Sequence, residues 1–263
     1  MTNTISDAAT WDSGRRRAYW DEHGFLVVRG LFAPALIDAA SDEAETLLGR
    51  NDLMSVRNLR CRFQTNVLTG ECQFETFDPV IDIGPAQRRL AFDERLLSVL
   101  TELYGDVPCL FKDKLIFKPP GVKGYGLHQD WIAWPGFPRS FLTVLVPLDD
   151  ADADNGCTEV FSGYHRGGSL SAEDGQYHEL PAETVDPSRG VLLELRRGDC
   201  AIFGGFTPHR SAPNRSPRWR RQLYLSYNAL ADGGQQRAKH YNEFHAWLRV
   251  KYAEYGKDDV YFE

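Results

Sequence analysis

The feature that most constrains this chain is the tripeptide His128-Gln129-Asp130, followed 81 positions later by His209. Two imidazoles and one carboxylate form a ligand set that holds Fe(II) on one face and leaves other coordination positions open. Because the side chains of an extended strand alternate with period two, we expect His128 and Asp130 on one face of a strand. His209 must then come from a distant strand, so the fold has to bring two remote β segments side by side.

The surroundings of the motif matter, because one H-x-D is expected by chance in roughly a third of chains of this composition. Short alternating or apolar runs, bounded by Gly, Pro, Asn and Asp, recur on both sides of it and are typical of strands and turns. The predicted strands are Lys112–Phe117, Phe141–Leu148, Leu192–Leu195, Cys200–Phe203 and Gln222–Asn228. His209 is expected in a loop between two of them. This context favours a metal site over a chance match.

Three segments around these residues resemble a known family. The run KLIFKPPGVKGYGLHQD, the segment DNGCTEVFSGYHRG and the sequence HRSAPN followed by Arg220 resemble the phytanoyl-CoA dioxygenase family of Fe(II)/2-oxoglutarate-dependent oxygenases. The resemblance covers roughly residues 111–228, with a looser match at 19–25. It implies a mainly β fold with flanking helices, a double-stranded β-helix or jelly-roll, cupin-like barrel. It also implies that His128, Asp130 and His209 bind Fe(II).

The same resemblance implies a pocket for 2-oxoglutarate. Arg220 would anchor the distal carboxylate with help from Ser211, and a guanidinium suits this task because it binds a carboxylate through two parallel hydrogen bonds. Thr143, Lys114 and Gln129 are the further candidates for contact with the cosubstrate. Dioxygen is the second cosubstrate that the family implies.

The strand that starts at Arg220 gives an internal check on which arginine faces the pocket. If Arg220 points into the barrel, Leu223 and Leu225 point outward beneath flanking helices. The inward side chains are then polar or aromatic: Gln222, Tyr224, Ser226 and Asn228. The other register, with Arg221 inward, would leave those groups outside, so we expect Arg220 inside. The remaining arginines of this region are expected in solvent: Arg215, Arg218 and Arg221.

The substrate is less constrained than the cofactors. Tyr125, Trp131, Trp134 and Phe137 flank the metal motif and are candidates for substrate contact, with packing of the barrel rim as an equal alternative. Related halogenases replace the carboxylate ligand by a small residue, so Asp130 favours hydroxylation, oxidative ring closure or desaturation. We expect a small-molecule substrate, a bacterial natural product such as a sugar-containing antibiotic intermediate. Oligomeric state is not indicated.

The organisation predicted is one domain over residues 1–263. A barrel of about residues 107–229 would carry helical elements within 15–50 and 88–104, and a helix over 235–255 would close the chain. The individual elements before the barrel are the helices Arg15–His23, Pro34–Leu48 and Asp93–Tyr104 and the strand Phe25–Arg29. Residues 51–83 contain Gly, Asn and Pro breaks and are expected to be irregular, over the barrel mouth.

Composition excludes several classes of protein. A net charge of −7 argues against nucleic acid as a partner, because phosphate contacts need a basic face. No apolar run approaches a membrane span, and residues 1–14 lack a signal-peptide core. Five cysteines, odd in number and never in C-x-x-C, indicate reduced core thiols and a cytoplasmic setting.

Two other classes remain open at this stage. A cupin-like metalloenzyme that does not use 2-oxoglutarate would share the ligand set but has no reason to place Arg220 on an inward strand. A small-molecule-binding barrel that has lost catalysis is the second alternative, and the intact ligand set argues against it.

Overall fold

The computed structural model describes residues 5–55 and 58–254. Its strands are β1 (Phe25–Val28), β2 (Cys61–Thr65), β3 (Cys72–Phe77), β4 (Pro108–Lys118), β5 (Tyr125–His128), β6 (Leu142–Pro147), β7 (Thr158–Phe161), β8 (Gly190–Leu192), β9 (Cys200–Gly204), β10 (His209–Ser211) and β11 (Arg220–Ala229). Its α-helices are α1 (Ser13–His23), α2 (Pro34–Leu48), α3 (Pro85–Ala91), α4 (Glu94–Tyr104) and α5 (Arg237–Glu254).

The strands form two antiparallel sheets. The larger sheet has the order β1-β9-β6-β11-β4-β3-β2, and the smaller has the order β5-β10-β7-β8. Leu145 and Phe203 of the larger sheet lie in one apolar cluster with Val160 and Val191 of the smaller, so the two sheets share an interior. This is the double-stranded β-helix that the sequence predicted.

Helices cover the outer face of the larger sheet. α2 begins at Pro34, where a missing backbone N–H costs no helical hydrogen bond. α4 begins at its N-cap Asp93 and ends at Gly105, whose φ of 65° suits glycine. The apolar faces of both helices pack on the sheet, where Leu223 and Leu225 are fully buried, as the alternation predicted. Each buried leucine contributes about 1.5–3 kcal/mol to folding.

The segment 51–83 was expected to be irregular, and that prediction is wrong for Cys61–Thr65 and Cys72–Phe77, which are strands. β2 and β3 form a hairpin whose second strand pairs with β4, at Thr76 opposite Ile116 and Phe77 opposite Leu115. The rings of Phe74 and Phe77 pack against Phe117 of β4. The strand order depends on these long-range contacts, which cannot be predicted from the local sequence of the hairpin.

Arg221 was expected in solvent but is buried, with 8% of its surface exposed. It points away from the barrel interior, as the register required. However, α2 covers this face, and the guanidinium forms ion pairs with Asp149 at 2.7 Å and Glu45 at 2.6 Å. Arg215 and Arg218 are exposed, as predicted.

Smaller differences concern element ends. The strand predicted at Leu192–Leu195 lies at Gly190–Leu192, and His209 begins β10 instead of lying in a loop. Tyr255, the predicted last residue of the closing helix, lies outside the described residues.

All five cysteines are free, and Cys72 is exposed instead of being a core thiol. Among the described residues no helix has the length and apolarity needed to cross a membrane.

Candidate metal centre and its chamber

The three residues of the metal motif meet at the junction of two neighbouring strands. His128 is the last residue of β5 and pairs with His209, the first residue of β10. Asp130 follows β5 in a bend, not on the strand as predicted, and its Oδ1 lies 3.8 Å from His128 Nε2 and 3.7 Å from His209 Nε2. One ligand atom from each residue lies within 4.8 Å of the others, which is the arrangement that could hold one metal ion.

Hydrogen bonds to backbone carbonyls orient both imidazoles. His128 Nδ1 lies 2.8 Å from the Gly126 oxygen, and His209 Nδ1 lies 3.0 Å from the Thr207 oxygen. A proton on each Nδ1 satisfies these contacts and leaves each Nε2 lone pair free for a metal. Burial and the neighbouring His209 lower the pKa of His128 to about 4, so the imidazole is neutral near pH 7.

Asp130 is held as a carboxylate. Burial alone would raise its pKa, but the charges of His209, His128 and Lys114 and the hydrogen bond from Thr143 together outweigh burial and bring the pKa to about 2. Its second oxygen, Oδ2, accepts a hydrogen bond from the Thr143 hydroxyl at 2.6 Å. Thr143 therefore contacts a candidate ligand.

Gln129 has both ends of its amide engaged with backbone groups. Its nitrogen donates to the oxygens of Gly168 at 3.0 Å and Phe206 at 2.6 Å, and its oxygen accepts from the Leu170 N–H at 2.7 Å. These contacts tie two loops to the segment between His128 and Asp130.

Arg220 faces the interior, and its side chain is completely buried. None of its three guanidinium nitrogens has a hydrogen-bond partner among the described residues. A buried charge without a partner is strongly unfavourable, so this site fits a small anion. The donor set therefore suits the carboxylate of 2-oxoglutarate.

Lys118 lies directly opposite Arg220 on β4. Its ammonium nitrogen lies 3.2 Å from the hydroxyl of Ser211 and donates to the backbone oxygens of Gly156 and Ala212. Burial, followed by the charge of Arg220, lowers the pKa of Lys118 to about 6. Ser211 and Lys118 thus lie beside the buried guanidinium, and the amine is mostly neutral at pH 7.

A chamber of about 410 Å³ opens onto His128 and Asp130. Of the residues predicted to contact substrate, Tyr125, Trp134 and Phe137 line it. The structure does not bring Trp131 to the chamber. Its ring is 8% exposed and packs 4.8 Å from that of Phe206.

Lys114 lines both this chamber and the cavity beside the candidate ligands. It pairs across the sheet with Tyr224, and its ammonium lies 5.1 Å from the centre of that ring. It forms no ion pair within 4.0 Å with any described residue. The next lysine on the same face, Lys112, is paired with the buried Asp78 at 3.0 Å.

Sequence reasoning missed several chamber residues. Lys112 could have been found, because the alternation that places Lys114 and Lys118 on one face of β4 includes it as well. His240 and Phe244 of α5 also line the chamber, and no local motif marks them.

The chain is similar to known proteins over most of its length. A family model described as Phytanoyl-CoA dioxygenase (PhyH) matches residues 20–222. The chain is 30% identical over 223 residues to 2-aminoethylphosphonate dioxygenase of uncultured bacterium HF130_AEPn_1, and the match covers 83% of this chain and 82% of that protein.

The chain also resembles a second curated relative in sequence and a solved structure in fold. Methylphosphonate hydroxylase of Gimesia maris is 34% identical over 154 residues, which are 55% of this chain and 58% of that protein. The crystal structure of AviO1 from Streptomyces viridochromogenes Tue57 superposes with a TM-score of 0.69 at 22% identity, covering 85% of this chain and 98% of that one. The structural likeness concerns the fold.

Proposed function

The chain belongs to the phytanoyl-CoA dioxygenase family of Fe(II)- and 2-oxoglutarate-dependent oxygenases, and from this premise we propose that it oxygenates a small molecule carrying an anionic group. The observation that carries the proposal is the ammonium of Lys114. It borders both the chamber and the candidate ligands and has no ion-pair partner among the described residues.

His128, Asp130 and His209 would hold Fe(II), which together with 2-oxoglutarate supplies the oxidising power for attack on a C–H bond. The protein's own contribution is to orient the metal ligands and the cosubstrate and to exclude water from them. Arg220 and Ser211 would bind the distal carboxylate of 2-oxoglutarate. Thr143 and Gln129 would instead position the ligand segment, because their polar atoms already contact Asp130 and two loops.

A count of charges supports an anionic substrate. 2-Oxoglutarate carries two negative charges, of which Arg220 balances one. Fe(II) with the carboxylate of Asp130 has a net charge of about one and balances the other. Lys118 lies opposite Arg220 on the sheet, so a proton that it gains when 2-oxoglutarate binds would add positive charge beside Arg220. The chamber lining also holds Lys112, Lys123 and Glu179, but Lys114 is the one of these residues that also lines the cavity beside the candidate ligands, so we assign its charge to the substrate.

The names of two relatives suggest which anion to test first. One is a dioxygenase of 2-aminoethylphosphonate and the other a hydroxylase of methylphosphonate. A phosphonate is small enough for a chamber of about 410 Å³ and matches an ammonium donor. An oxygen-rich natural product would fit the same proposal if it carried an anionic group.

The test compares charged and neutral versions of one compound. Under anaerobic conditions, 2-oxoglutarate should produce the weak visible band of its Fe(II) complex. Succinate release in air should then be stimulated by methylphosphonate or 2-aminoethylphosphonate and not by the neutral dimethyl ester of methylphosphonate. Lys114→Met should raise KM for the phosphonate about 10- to 100-fold, which corresponds to the loss of one charge-assisted hydrogen bond.

Lys239→Met serves as the control, because Lys239 is an exposed lysine of α5. Equal stimulation of succinate release by the ester would contradict the proposal of an anionic substrate. A Lys114→Met variant in which only the KM for 2-oxoglutarate rises would contradict it as well. Turnover that does not need 2-oxoglutarate would favour the cupin-like alternative instead. Binding without any succinate release would favour the inactive barrel.

A further inference from the structure

α5 contributes to the chamber although it lies outside the region that the family model matches. The matched region ends at residue 222, whereas α5 spans Arg237–Glu254. His240 and Phe244 nevertheless line the same chamber as His128 and Asp130. The segment that the family model matches therefore does not by itself form the whole chamber.

One face of α5 anchors the helix to the sheet through polar contacts. The hydroxyl of Tyr241 lies 2.7 Å from the backbone oxygen of Asp113 and 3.1 Å from the carboxylate of Asp78, and it accepts the Asp113 N–H at 3.0 Å. Four residues earlier, Arg237 forms an ion pair of 2.7 Å with the buried carboxylate of Asp113. Because residues four apart share a helix face, these contacts fix the rotation of α5 about its axis.

A second face carries aromatic rings at His240, Phe244 and Trp247. His240 and Phe244 are stacked with centroids 5.7 Å apart, and Trp247 continues the stack at 6.1 Å. The His240 ring also lies 4.5 Å from that of Phe111 on β4. Trp247 is 47% exposed and does not line the chamber, so the wall consists of the first two rings.

The wall is uncharged near neutral pH. Burial, followed by the charge of Lys112, lowers the pKa of His240 to about 3, so its imidazole is neutral. The ammonium of Lys112 lies 4.3 Å above the ring of Phe244 and is paired with Asp78. Lys123 also lines the chamber but is exposed, whereas Lys114 borders the candidate ligands as well. We therefore assign the anionic head to Lys114 and the rest of the molecule to the aromatic wall.

We propose that the His240–Phe244 face of α5 is a specificity-determining surface that contacts the body of the substrate, beyond the anionic group bound at Lys114. The inference rests on the proposed function for the identity of the chamber as the substrate site. It assigns selection among anionic substrates to a helix outside the family-matched region.

The test measures binding, not turnover, with two probes that share a phosphonate head. Methylphosphonate has no body that could reach the wall, whereas benzylphosphonate carries an aromatic ring. Calorimetry is performed anaerobically on protein loaded with Fe(II) and 2-oxoglutarate. His240→Ala and Phe244→Ala should each weaken benzylphosphonate about three- to tenfold, the loss expected for one aromatic contact.

The same variants should leave the affinities for methylphosphonate and 2-oxoglutarate within about twofold. His240→Phe should retain benzylphosphonate binding, because it keeps a ring at this position, and Trp247→Ala should resemble the parent. Equal losses for both probes, no loss for either, or no binding of benzylphosphonate to the parent would overturn the inference. If the selective loss occurs in a protein that never releases succinate, the inference stands and the proposed function fails.

Discussion

The Thr143 hydroxyl donates a hydrogen bond of 2.6 Å to one oxygen of Asp130, while the other oxygen lies 3.8 Å and 3.7 Å from the Nε2 atoms of His128 and His209. Thr143 belongs to β6, which pairs with β11, the strand that carries Arg220. The larger sheet therefore supplies both the hydroxyl that contacts this carboxylate and the buried guanidinium of Arg220. A carboxylate fixed before the metal binds needs little reorganisation on binding.

Thr143→Val should weaken Fe(II) binding about 10- to 100-fold, because valine has a similar shape but cannot orient Asp130. The affinity can be measured anaerobically by competition with a chelator. Thr143→Ser is the matched control, since it keeps the hydroxyl and should remain close to the parent. Unchanged Fe(II) affinity in Thr143→Val would mean that the carboxylate is oriented by other contacts.

Asp130→Ala should remove Fe(II) binding and turnover while leaving the protein folded. Asp130 lies in a bend after β5, so its replacement breaks no strand pairing. Circular dichroism and the unfolding temperature check the fold, and succinate release checks activity. Asp174→Ala, which changes an exposed aspartate, should behave like the parent. Normal metal content in Asp130→Ala would refute the ligand assignment.

Arg220→Lys should raise KM for 2-oxoglutarate about 10- to 100-fold, because lysine lacks the planar fork that binds a carboxylate. Fe(II) affinity should stay nearly unchanged. Arg221→Lys provides a control at the adjacent position. It should lower the free energy of unfolding by about 1–3 kcal/mol through its contacts with Asp149 and Glu45, without changing that KM. A raised KM for 2-oxoglutarate in Arg221→Lys but not in Arg220→Lys would mean that Arg221 binds the cosubstrate.

The success of the Arg220 register shows how much the sequence predicted. Period-two alternation along β11 was sufficient, because Leu223 and Leu225 had to be buried under helices and the polar residues had to face inward. The meeting of His128 with His209 followed from the chemistry of the ligand set. These features depend on residue type and on the geometry of a strand.

The features that the sequence did not predict depend on tertiary contacts. Arg221 was expected in solvent because the sequence around it does not indicate that α2 covers it. The hairpin β2–β3 is stabilised by the ring of Phe117 on β4, more than thirty residues away. His240 reaches the chamber on a helix that Tyr241 and Arg237 anchor to the sheet. Propensity and spacing carry no information about such docking.

The final prediction concerns the amine of Lys118, which couples the binding of 2-oxoglutarate to a proton. In the free protein, burial and the charge of Arg220 lower its pKa to about 6, so the amine is mostly neutral at pH 7.5. A carboxylate bound to Arg220 would cancel the repulsion and attract the ammonium, so the pKa of Lys118 should rise on binding. Above pH 6, binding should therefore take up a proton.

A ligand whose binding takes up protons binds more weakly as pH rises, because protons become scarcer. The affinity for 2-oxoglutarate should fall by up to about tenfold per pH unit from pH 6 to the raised pKa, in protein already loaded anaerobically with Fe(II). Calorimetry at pH 7.5 in buffers of different ionisation enthalpy should detect uptake of up to about one proton. Lys118→Met should abolish this uptake and flatten the pH profile, because methionine keeps the apolar stem without the titrating amine. Undiminished proton uptake in Lys118→Met would assign the proton to another group, and no uptake in the parent would show that Lys118 stays neutral beside the bound carboxylate.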